Sequence, residues 1–114
     1  MKEDLIKIIE HYGVNNQLRQ FNEECFELIE AIFQYESQKE ACENIGCSRL
    51  HIDKCKEHIA EEIADVLNMV EQFMFYYEID FNKVIEIKHQ KVHRQLDRIE
   101  KEAVNYLLEK ESDK

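Results

Sequence analysis

The sequence predicts an all-α fold, an antiparallel helical bundle of about four helices that is completed by oligomerisation. The chain has 114 residues, no proline and two glycines, so few residues in it interrupt a helix. Apolar residues recur at three- and four-residue spacing in four long stretches, as on one face of a helix. These apolar faces are wide for so short a chain, which favours burial against a second subunit. We expect residues 1–114 to form a single domain.

The first two predicted helices meet at Gly13. The first covers residues 4–12 and ends where a glycine suits the position just past a helix. Asn15 or Asn16 can cap the second helix, because an asparagine side chain accepts a hydrogen bond from a free backbone N–H group. That helix is predicted to run to about Tyr35, where the apolar periodicity is lost.

The last two predicted helices follow an irregular segment. A loop is expected at about 37–50, and the third helix covers about 51–77. Asp80 is a favourable cap for the fourth helix, which is predicted to extend to about Leu108. The remaining residues, 109–114, are expected to form a frayed tail.

The charge and hydropathy of the chain argue against several classes of partner. A net charge of −10 repels polyanions, so we expect neither a nucleic acid polymer nor a membrane surface as partner. No apolar run approaches the roughly 20 residues that span a bilayer. The acidic start lacks the basic region of a signal peptide. We therefore predict a cytoplasmic protein whose four cysteines are reduced thiols.

Two acidic motifs have helical spacing. The stretches EECFELIE and EEIADV each contain two carboxylates three residues apart, Glu24 with Glu27 and Glu62 with Asp65, which are neighbours on a helix. Such pairs also arise by chance in an acidic helical chain and face water, as the periodicity favours for Glu27. Glu62, in contrast, falls within the apolar arc of its helix. A carboxylate there is costly unless it is paired, protonated or bound to a cation.

A cluster of these four carboxylates would suit a hard cation. Crowded carboxylates repel one another, and some of them bind protons unless a cation neutralises them. Oxygen ligands favour Mg²⁺ or Mn²⁺, and Mg²⁺ is commonly held by few carboxylates together with substrate phosphates and waters. The pattern is therefore compatible with a site for a magnesium–triphosphate complex.

A phosphate site also needs cations, and the fourth helix carries a basic strip. Lys91, Arg94 and Arg98 recur at helical spacing and share one side of this helix. The alternative is a set of pairs within the helix, Arg94 with Asp97 and Arg98 with Glu102. The helix by itself does not distinguish the two interpretations.

Together these motifs resemble those of the MazG-like family of all-α nucleoside triphosphate pyrophosphohydrolases. The family signature is E-x-x-E followed on a later helix by E-x-x-D, which stands here as Glu24-x-x-Glu27 and Glu62-x-x-Asp65. The stretch KVHRQLDRI resembles the K-x-x-R-Q-x-x-R-I segment of phage-like members. The resemblance covers about residues 14–100.

The resemblance implies Mg²⁺-dependent hydrolysis of an NTP or dNTP to the monophosphate and pyrophosphate. Water would attack the α-phosphorus, oriented or deprotonated by a motif carboxylate or by a neighbour such as Glu23 or Glu61. The motif carboxylates would be both the metal ligands and the catalytic residues: Glu24, Glu27, Glu62 and Asp65.

The resemblance also implies substrate contacts and an assembly. Lys91, Arg94 and Arg98 would hold the phosphates by charge-assisted hydrogen bonds. Gln17 and Gln20 share a strip with the first acidic motif, so they either contact the base or sugar or are simply solvated. Family members are often dimers or tetramers, and we expect a homo-oligomer here.

Two other interpretations stay open. A structural zinc ion could be bound by a group of thiols and imidazoles within seventeen residues: Cys42, Cys47, His51, Cys55 and His58. The chain could instead be a non-catalytic helical interaction or regulatory protein, such as one carried by a phage. The intact acidic and basic motifs argue against a decayed site.

Overall fold

The computed structural model describes residues 1–46 and 49–113, which form four α-helices and, within these ranges, no strand. The helices are α1 (Lys2–Tyr12), α2 (Val14–Ile45), α3 (Arg49–Tyr76) and α4 (Phe81–Ser112). The prediction of an all-α fold is confirmed. No helix in the described part is long and apolar enough to cross a membrane. The chain divides into two compact units, Met1–Glu78 and Ile79–Lys114.

Gly13 alone separates α1 from α2. Its φ of 87° lies in the region that favours glycine, and its N–H donates to the carbonyl of Ile9, as predicted for a residue just past a helix. The predicted caps at Asn15 and Asn16 are wrong, because α2 already begins at Val14. The Nδ2 of Asn16 instead donates to the Tyr12 carbonyl at 2.8 Å, which satisfies a free group at the end of α1.

The predicted loop at 37–50 is largely helical. Helix α2 continues ten residues past Tyr35 to Ile45, and α3 begins at Arg49. No glycine or proline occurs between Tyr35 and Gly46, so the helix propagates after its apolar stripe has ended. Of the predicted loop, residues 47 and 48 lie outside the described residues.

The ends of α4 confirm one prediction and correct another. Asp80 caps the helix as predicted, since its carboxylate accepts a hydrogen bond from the Asn82 N–H at 3.0 Å. The tail predicted to be frayed is helical to Ser112. The Ser112 hydroxyl donates to the carbonyl of Glu109 at 2.9 Å and so satisfies one of the last carbonyl groups.

Helices α2 and α3 pack antiparallel to each other. Near the start of α2 the ring of Phe21 meets that of Phe73, late in α3, with centroids 5.9 Å apart and an edge-to-face geometry. Further along α2, Tyr35 meets Lys56, early in α3, with the ammonium 5.9 Å from the ring centroid. The reversed order of these partners brings the two acidic motifs to the same level.

The first unit has a small core to which α1, α2 and α3 all contribute. Its buried apolar side chains are Leu5, Ile9, Ala31, Met69 and Met74. Ile9 is fully buried, so α1 is anchored against the other two helices by its apolar stripe. Helix α1 therefore packs against both α2 and α3 within the first unit.

The second unit consists mainly of α4, and this helix buries none of its residues. Its apolar stripe is exposed, including Val92, Leu96 and Ile99, and Leu96 is 56% exposed. An amphipathic helix normally covers its apolar stripe with another element. Within its own unit, α4 has no such cover.

Candidate metal centre and adjoining cavity

Three carboxylates from the two acidic motifs converge between α2 and α3. Glu24, Glu62 and Asp65 each offer an oxygen, and these oxygens all lie within 4.8 Å of one another. Glu62 and Asp65 are neighbours on α3 because residues three apart share a face. Glu24 reaches them from α2 because the two helices run antiparallel. In the described part of the chain this is the one group of acidic, histidine or cysteine residues with such a geometry.

Burial makes this cluster costly without a partner of opposite charge. Glu62 is only 9% exposed, as its place in the apolar arc predicts. The Oε2 atoms of both Glu62 and Glu24 are buried and accept no hydrogen bond in the structure. A buried carboxylate oxygen with no partner destabilises the fold.

The environment of Glu24 opposes its ionisation. Burial raises the pKa of the Glu24 carboxyl, while the hydrogen bond from Gln20 lowers it and the nearby charges of Asp65 and Glu27 raise it again. The Nε2 of Gln20 donates to Glu24 Oε1 at 2.7 Å. One oxygen of Glu24 therefore has a donor, and the other is buried without one.

Glu27 lies at the edge of this arrangement. It is exposed and is not among the three converging carboxylates. Its carboxyl does contact that of Glu24, one helical turn away. The periodicity of α2 already favoured an exposed position for Glu27. Its predicted part in binding a metal stays a prediction.

The donor set fits a hard divalent cation. All three groups supply carboxylate oxygens, the ligands preferred by Mg²⁺ and Mn²⁺, and both Glu24 and Glu62 carry an oxygen without a hydrogen-bond partner. A cation there would remove both the mutual repulsion and the unsatisfied oxygens. Residues that hold the cation from the protein would be Glu24, Glu62 and Asp65.

His58 stands one turn before Glu62 on α3. Its Nε2 lies 3.9 Å from Glu62 Oε1, and its Nδ1 lies 3.7 Å from an oxygen of Glu61. The imidazole therefore lies beside the carboxylate cluster, and among the described residues no group with metal-ligand geometry includes it. Cys25 and Cys55 are free thiols. Cys42 is disulfide-bonded, so the prediction of reduced thiols is wrong at that residue, and Cys47 lies outside the described residues.

A cavity of about 530 Å³ adjoins the carboxylates within the first unit. Such a volume lies in the range of small-molecule sites. Glu24 and Asp65 form one part of its wall, and the other lining residues are mostly polar: Tyr12, Asn16, Gln17, Arg19, Gln20, Glu23, Asn68, Met69 and Gln72. The cavity wall therefore combines carboxylates with several amide side chains.

Both glutamines predicted to contact substrate line this cavity. Gln20 is exposed and holds Glu24, as described above. Gln17 is buried, and its Nε2 donates to Gln72 Oε1 on α3 at 2.7 Å. The alternative interpretation of simple solvation is therefore wrong for Gln17.

The predicted phosphate-binding residues lie in the other unit. Lys91, Arg94 and Arg98 are all exposed on α4. Among the residues that the structure describes, none of the three forms an ion pair, so the alternative of intrahelical pairs to Asp97 and Glu102 has no contact to support it. These cations are available for a ligand, and their role stays a prediction.

Several residues of the cavity were missed by sequence reasoning. Arg19 supplies a cation to the cavity wall, and Asn68 and Gln72 supply amides. Helical spacing could have found Asn68 and Gln72, since they follow Asp65 at three and seven residues along one face of α3. The pairing of Gln72 with a residue of α2 is a tertiary contact that spacing does not reveal.

The chain matches the family model of the MazG nucleotide pyrophosphohydrolase domain over residues 13–100. Comparisons with curated proteins and with solved structures gave no match. The matched segment contains α2, α3 and both acidic motifs, and it covers well over half of the chain. The chain therefore belongs to the MazG family of nucleotide pyrophosphohydrolases.

Proposed function

We propose that this member of the MazG family is a metal-dependent hydrolase that cleaves an NTP or dNTP into the monophosphate and pyrophosphate. One observation carries the proposal above all. Glu24 and Glu62 each carry a buried carboxylate oxygen without a hydrogen-bond partner, and these residues converge with Asp65 next to a cavity of nucleotide-compatible size. Such oxygens are costly unless they are protonated or bind a cation, and a cation would also relieve the repulsion among the three carboxylates.

The three converging carboxylates would hold Mg²⁺, with Mn²⁺ as a substitute, and Glu27 would join them from the edge of the site. When bound, the metal supplies charge neutralisation of the phosphates and a lowered pKa of its water. Gln20 keeps Glu24 in place through its 2.7 Å hydrogen bond. The protein's own contribution is thus a rigid, preorganised set of oxygen ligands.

The reaction we propose is attack of water on the α-phosphorus. The new bond joins the water oxygen to that phosphorus, and the bond from it to the α,β-bridging oxygen breaks. Pyrophosphate leaves, and a carboxylate near the water takes up the released proton. Glu23 lines the cavity and Glu61 lies next to Glu62, so both are candidates for that carboxylate together with the motif residues themselves.

The substrate would lie with its phosphates toward the carboxylates and its nucleoside against amide side chains of the cavity wall. Gln17 and Gln20 line the cavity and would hydrogen-bond the base or sugar. Arg19 would assist with the phosphates. Lys91, Arg94 and Arg98 would bind phosphates as well, by charge-assisted hydrogen bonds. Such an enzyme would act in the cytoplasm, where nucleotides are abundant.

We also propose that the chain works as a homo-oligomer, a dimer or a tetramer. The exposed stripe of α4 and exposed side chains of α2 such as Phe26 and Phe33 would form the contact with a second copy. Exposed apolar surface of this extent on helices is typical of subunit interfaces. Burying it would stabilise the assembly by the hydrophobic effect.

The decisive test is to incubate the purified protein with each common NTP and dNTP, with and without Mg²⁺, and to measure pyrophosphate and monophosphate. We expect equimolar amounts of the two products only with metal. Glu62→Gln should reduce kcat/KM on the order of 100-fold or more, because it removes a ligand from the cluster. Glu57→Gln, an exposed acid on the same helix, is the matched control.

A binding measurement complements the activity assay. Mg²⁺ at a hundredfold excess over its Kd should raise the unfolding free energy of the wild type by about 2.7 kcal/mol and leave Glu62→Gln unchanged. A folded protein with neither metal-dependent stabilisation nor turnover, with Mn²⁺ also tried, would instead support a non-catalytic interaction or regulatory protein.

A further inference from the structure

Three amide side chains form a hydrogen-bonded relay between α2 and α3, at the cavity that the carboxylates adjoin. Gln17 Nε2 donates to Gln72 Oε1 at 2.7 Å, and Gln72 Nε2 donates to Asn68 Oδ1 at 3.0 Å. All three residues line the cavity. We call Gln17, Gln72 and Asn68 the amide relay.

The burial of the relay is energetically costly for so small a core. Gln72 is 2% exposed and Gln17 is 6% exposed, in a unit with few buried residues. Buried amides need all their partners, whereas apolar side chains of the same size would pack without this requirement. The relay therefore contributes more to a specific arrangement of polar groups than to stability.

Met69 favours one direction of the relay over the other. Its sulfur lies 3.9 Å from Gln72 Nε2, in the range of a weak N–H···S contact. A thioether can accept a hydrogen bond but cannot donate one. Turning the Gln72 amide around would place its oxygen against this sulfur and remove that contact. The donors of Gln72 therefore point to Met69 and Asn68.

The direction of the relay decides what Asn68 offers to a ligand. Its Oδ1 accepts from Gln72, which orients the amide, and its Nδ2 group, with two N–H donors, is left for other partners. Asn68 is the exposed member of the relay, and it lines the cavity together with Asp65, one turn away. The cavity thus presents a fixed donor near the carboxylates.

We infer that the amide relay reads the nucleobase and that Asn68 selects a base with a carbonyl where it contacts the ring, in preference to a base with an exocyclic amine. A carbonyl oxygen accepts from the Nδ2 donors of Asn68. An amine at that place would bring donor against donor and leave both unsatisfied. This inference rests on the proposed function, because it requires that a nucleoside occupies the cavity.

The test compares substrates that differ in this group, dUTP with dCTP and ITP with ATP. For the wild type we expect kcat/KM for the carbonyl-bearing nucleotide to exceed that for its amine-bearing counterpart by about tenfold or more, the equivalent of one hydrogen bond. Asn68→Asp keeps an oxygen for Gln72 but replaces the donors by an acceptor. It should shift each ratio by at least about tenfold toward the amine-bearing nucleotide.

Two further variants separate the effect of the relay on base preference from the effects of added charge and of misfolding. Asn15→Asp adds the same negative charge to α2 at an exposed residue outside the cavity and should leave both ratios unchanged. Gln72→Leu removes the middle of the relay, frees the Asn68 amide to rotate, and should bring both ratios close to one. Thermal unfolding of each variant shows whether it is folded.

Binding of α,β-methylene dUTP and dCTP gives a readout that needs no turnover. The same preference and the same reversal in Asn68→Asp are expected for the Kd values. If nucleotides are hydrolysed but Asn68→Asp changes both members of a pair alike, the inference is wrong and the proposed function stands. If no nucleotide is hydrolysed and neither analogue binds, both are wrong.

Discussion

The helices up to Glu78 bury part of their apolar surface against one another, whereas the helix that follows buries none of its residues. Ile9 in α1 is fully buried, whereas Leu96 and Ile99 at equivalent stripe positions of α4 are more than half exposed. The first unit also buries polar groups, among them Glu62 and Gln72. The first unit therefore contains both a core and the candidate metal centre, while α4 presents exposed apolar side chains that an interface would bury.

Periodicity therefore defines which face of a helix is apolar and leaves open what covers it. In the first unit, neighbouring helices of the same chain cover part of these faces, while side chains such as Ile29 and Leu67 stay about half exposed. For α4 we propose a second copy of the chain, whose burial of Leu96 and Ile99 would add about 25 cal/mol for each Å² of apolar surface removed from water. The following predictions test this division of roles.

The largest effect is expected on assembly. Replacing Leu96 and Ile99 together by glutamate places two charges in the centre of the α4 stripe, where burial would be strongly unfavourable. Size-exclusion chromatography with light scattering should show the mass fall to that of a single chain. The control adds two charges on the opposite side of α4, by Gln90→Glu and Asn105→Glu. A wild type that is itself a single chain would contradict the proposed interface.

The next effect is on the stability of the first unit. Ile9→Ala should lower the free energy of unfolding by about 2–5 kcal/mol, because it opens a cavity at a fully buried position. Urea unfolding at low protein concentration, where an oligomer dissociates, gives this value. Leu96→Ala under the same conditions should change it by less than about 0.5 kcal/mol. Equal losses for the two variants would show that α4 is buried within a single chain.

A smaller effect is expected on substrate affinity. Arg94→Gln removes a charge-assisted hydrogen bond to phosphate and should raise KM about tenfold with kcat nearly unchanged. Steady-state kinetics with the best nucleotide measures both constants. Lys83→Gln removes an exposed charge elsewhere on α4 and serves as the control. A KM for Arg94→Gln equal to that of the wild type would exclude phosphate binding by this residue.

The smallest effect concerns the pH dependence of stability. The pKa of Glu24 in the folded protein lies above its ordinary value of 4.5, so the metal-free fold favours the protonated carboxyl. The stabilisation that the protonated Glu24 carboxyl gives the fold is complete below pH 4.5 and is lost as the pH rises through the folded-state pKa. The amide of Glu24→Gln does not ionise, so this variant keeps its stability. Urea unfolding without metal should therefore show that Glu24→Gln is more stable than the wild type near neutral pH.

Two checks accompany the Glu24 measurement. Glu30→Gln removes one exposed charge from the same helix and should change the unfolding free energy by less than about 0.5 kcal/mol. Addition of Mg²⁺ should reverse the order of stability, because only the wild type keeps the ligand. Parallel pH profiles for Glu24→Gln and the wild type would show that this carboxyl is freely solvated.

The helices themselves were predictable from local rules, with one instructive failure. Gly13 and Asp80 were identified as helix boundaries because their backbone and side-chain chemistry acts within a few residues. The loop predicted at 37–50 failed because loss of an apolar stripe was taken as loss of helix. Propensity alone carries α2 to Gly46, where the backbone adopts a φ of 85° that favours glycine.

The candidate site was predictable in part. The position of Glu62 in an apolar arc identified a carboxylate that needs a partner, and the structure buries it. The same reasoning placed Glu27 in solvent, where it lies. The register between α2 and α3 decides that Glu24 reaches Glu62 and Asp65 and that Gln17 pairs with Gln72. No local sequence pattern contains this register.

The helices, the acidic motifs and the membership of the MazG family follow from the sequence alone, because these depend on residue types at fixed short spacing. Only the folded chain shows which carboxylates meet, which of their oxygens lack partners and which way the amide relay points. These properties arise from the antiparallel packing of α2 on α3, which brings together residues such as Gln17 and Gln72 that are 55 positions apart in the chain. Interactions at such separation are set by the packing of whole helices.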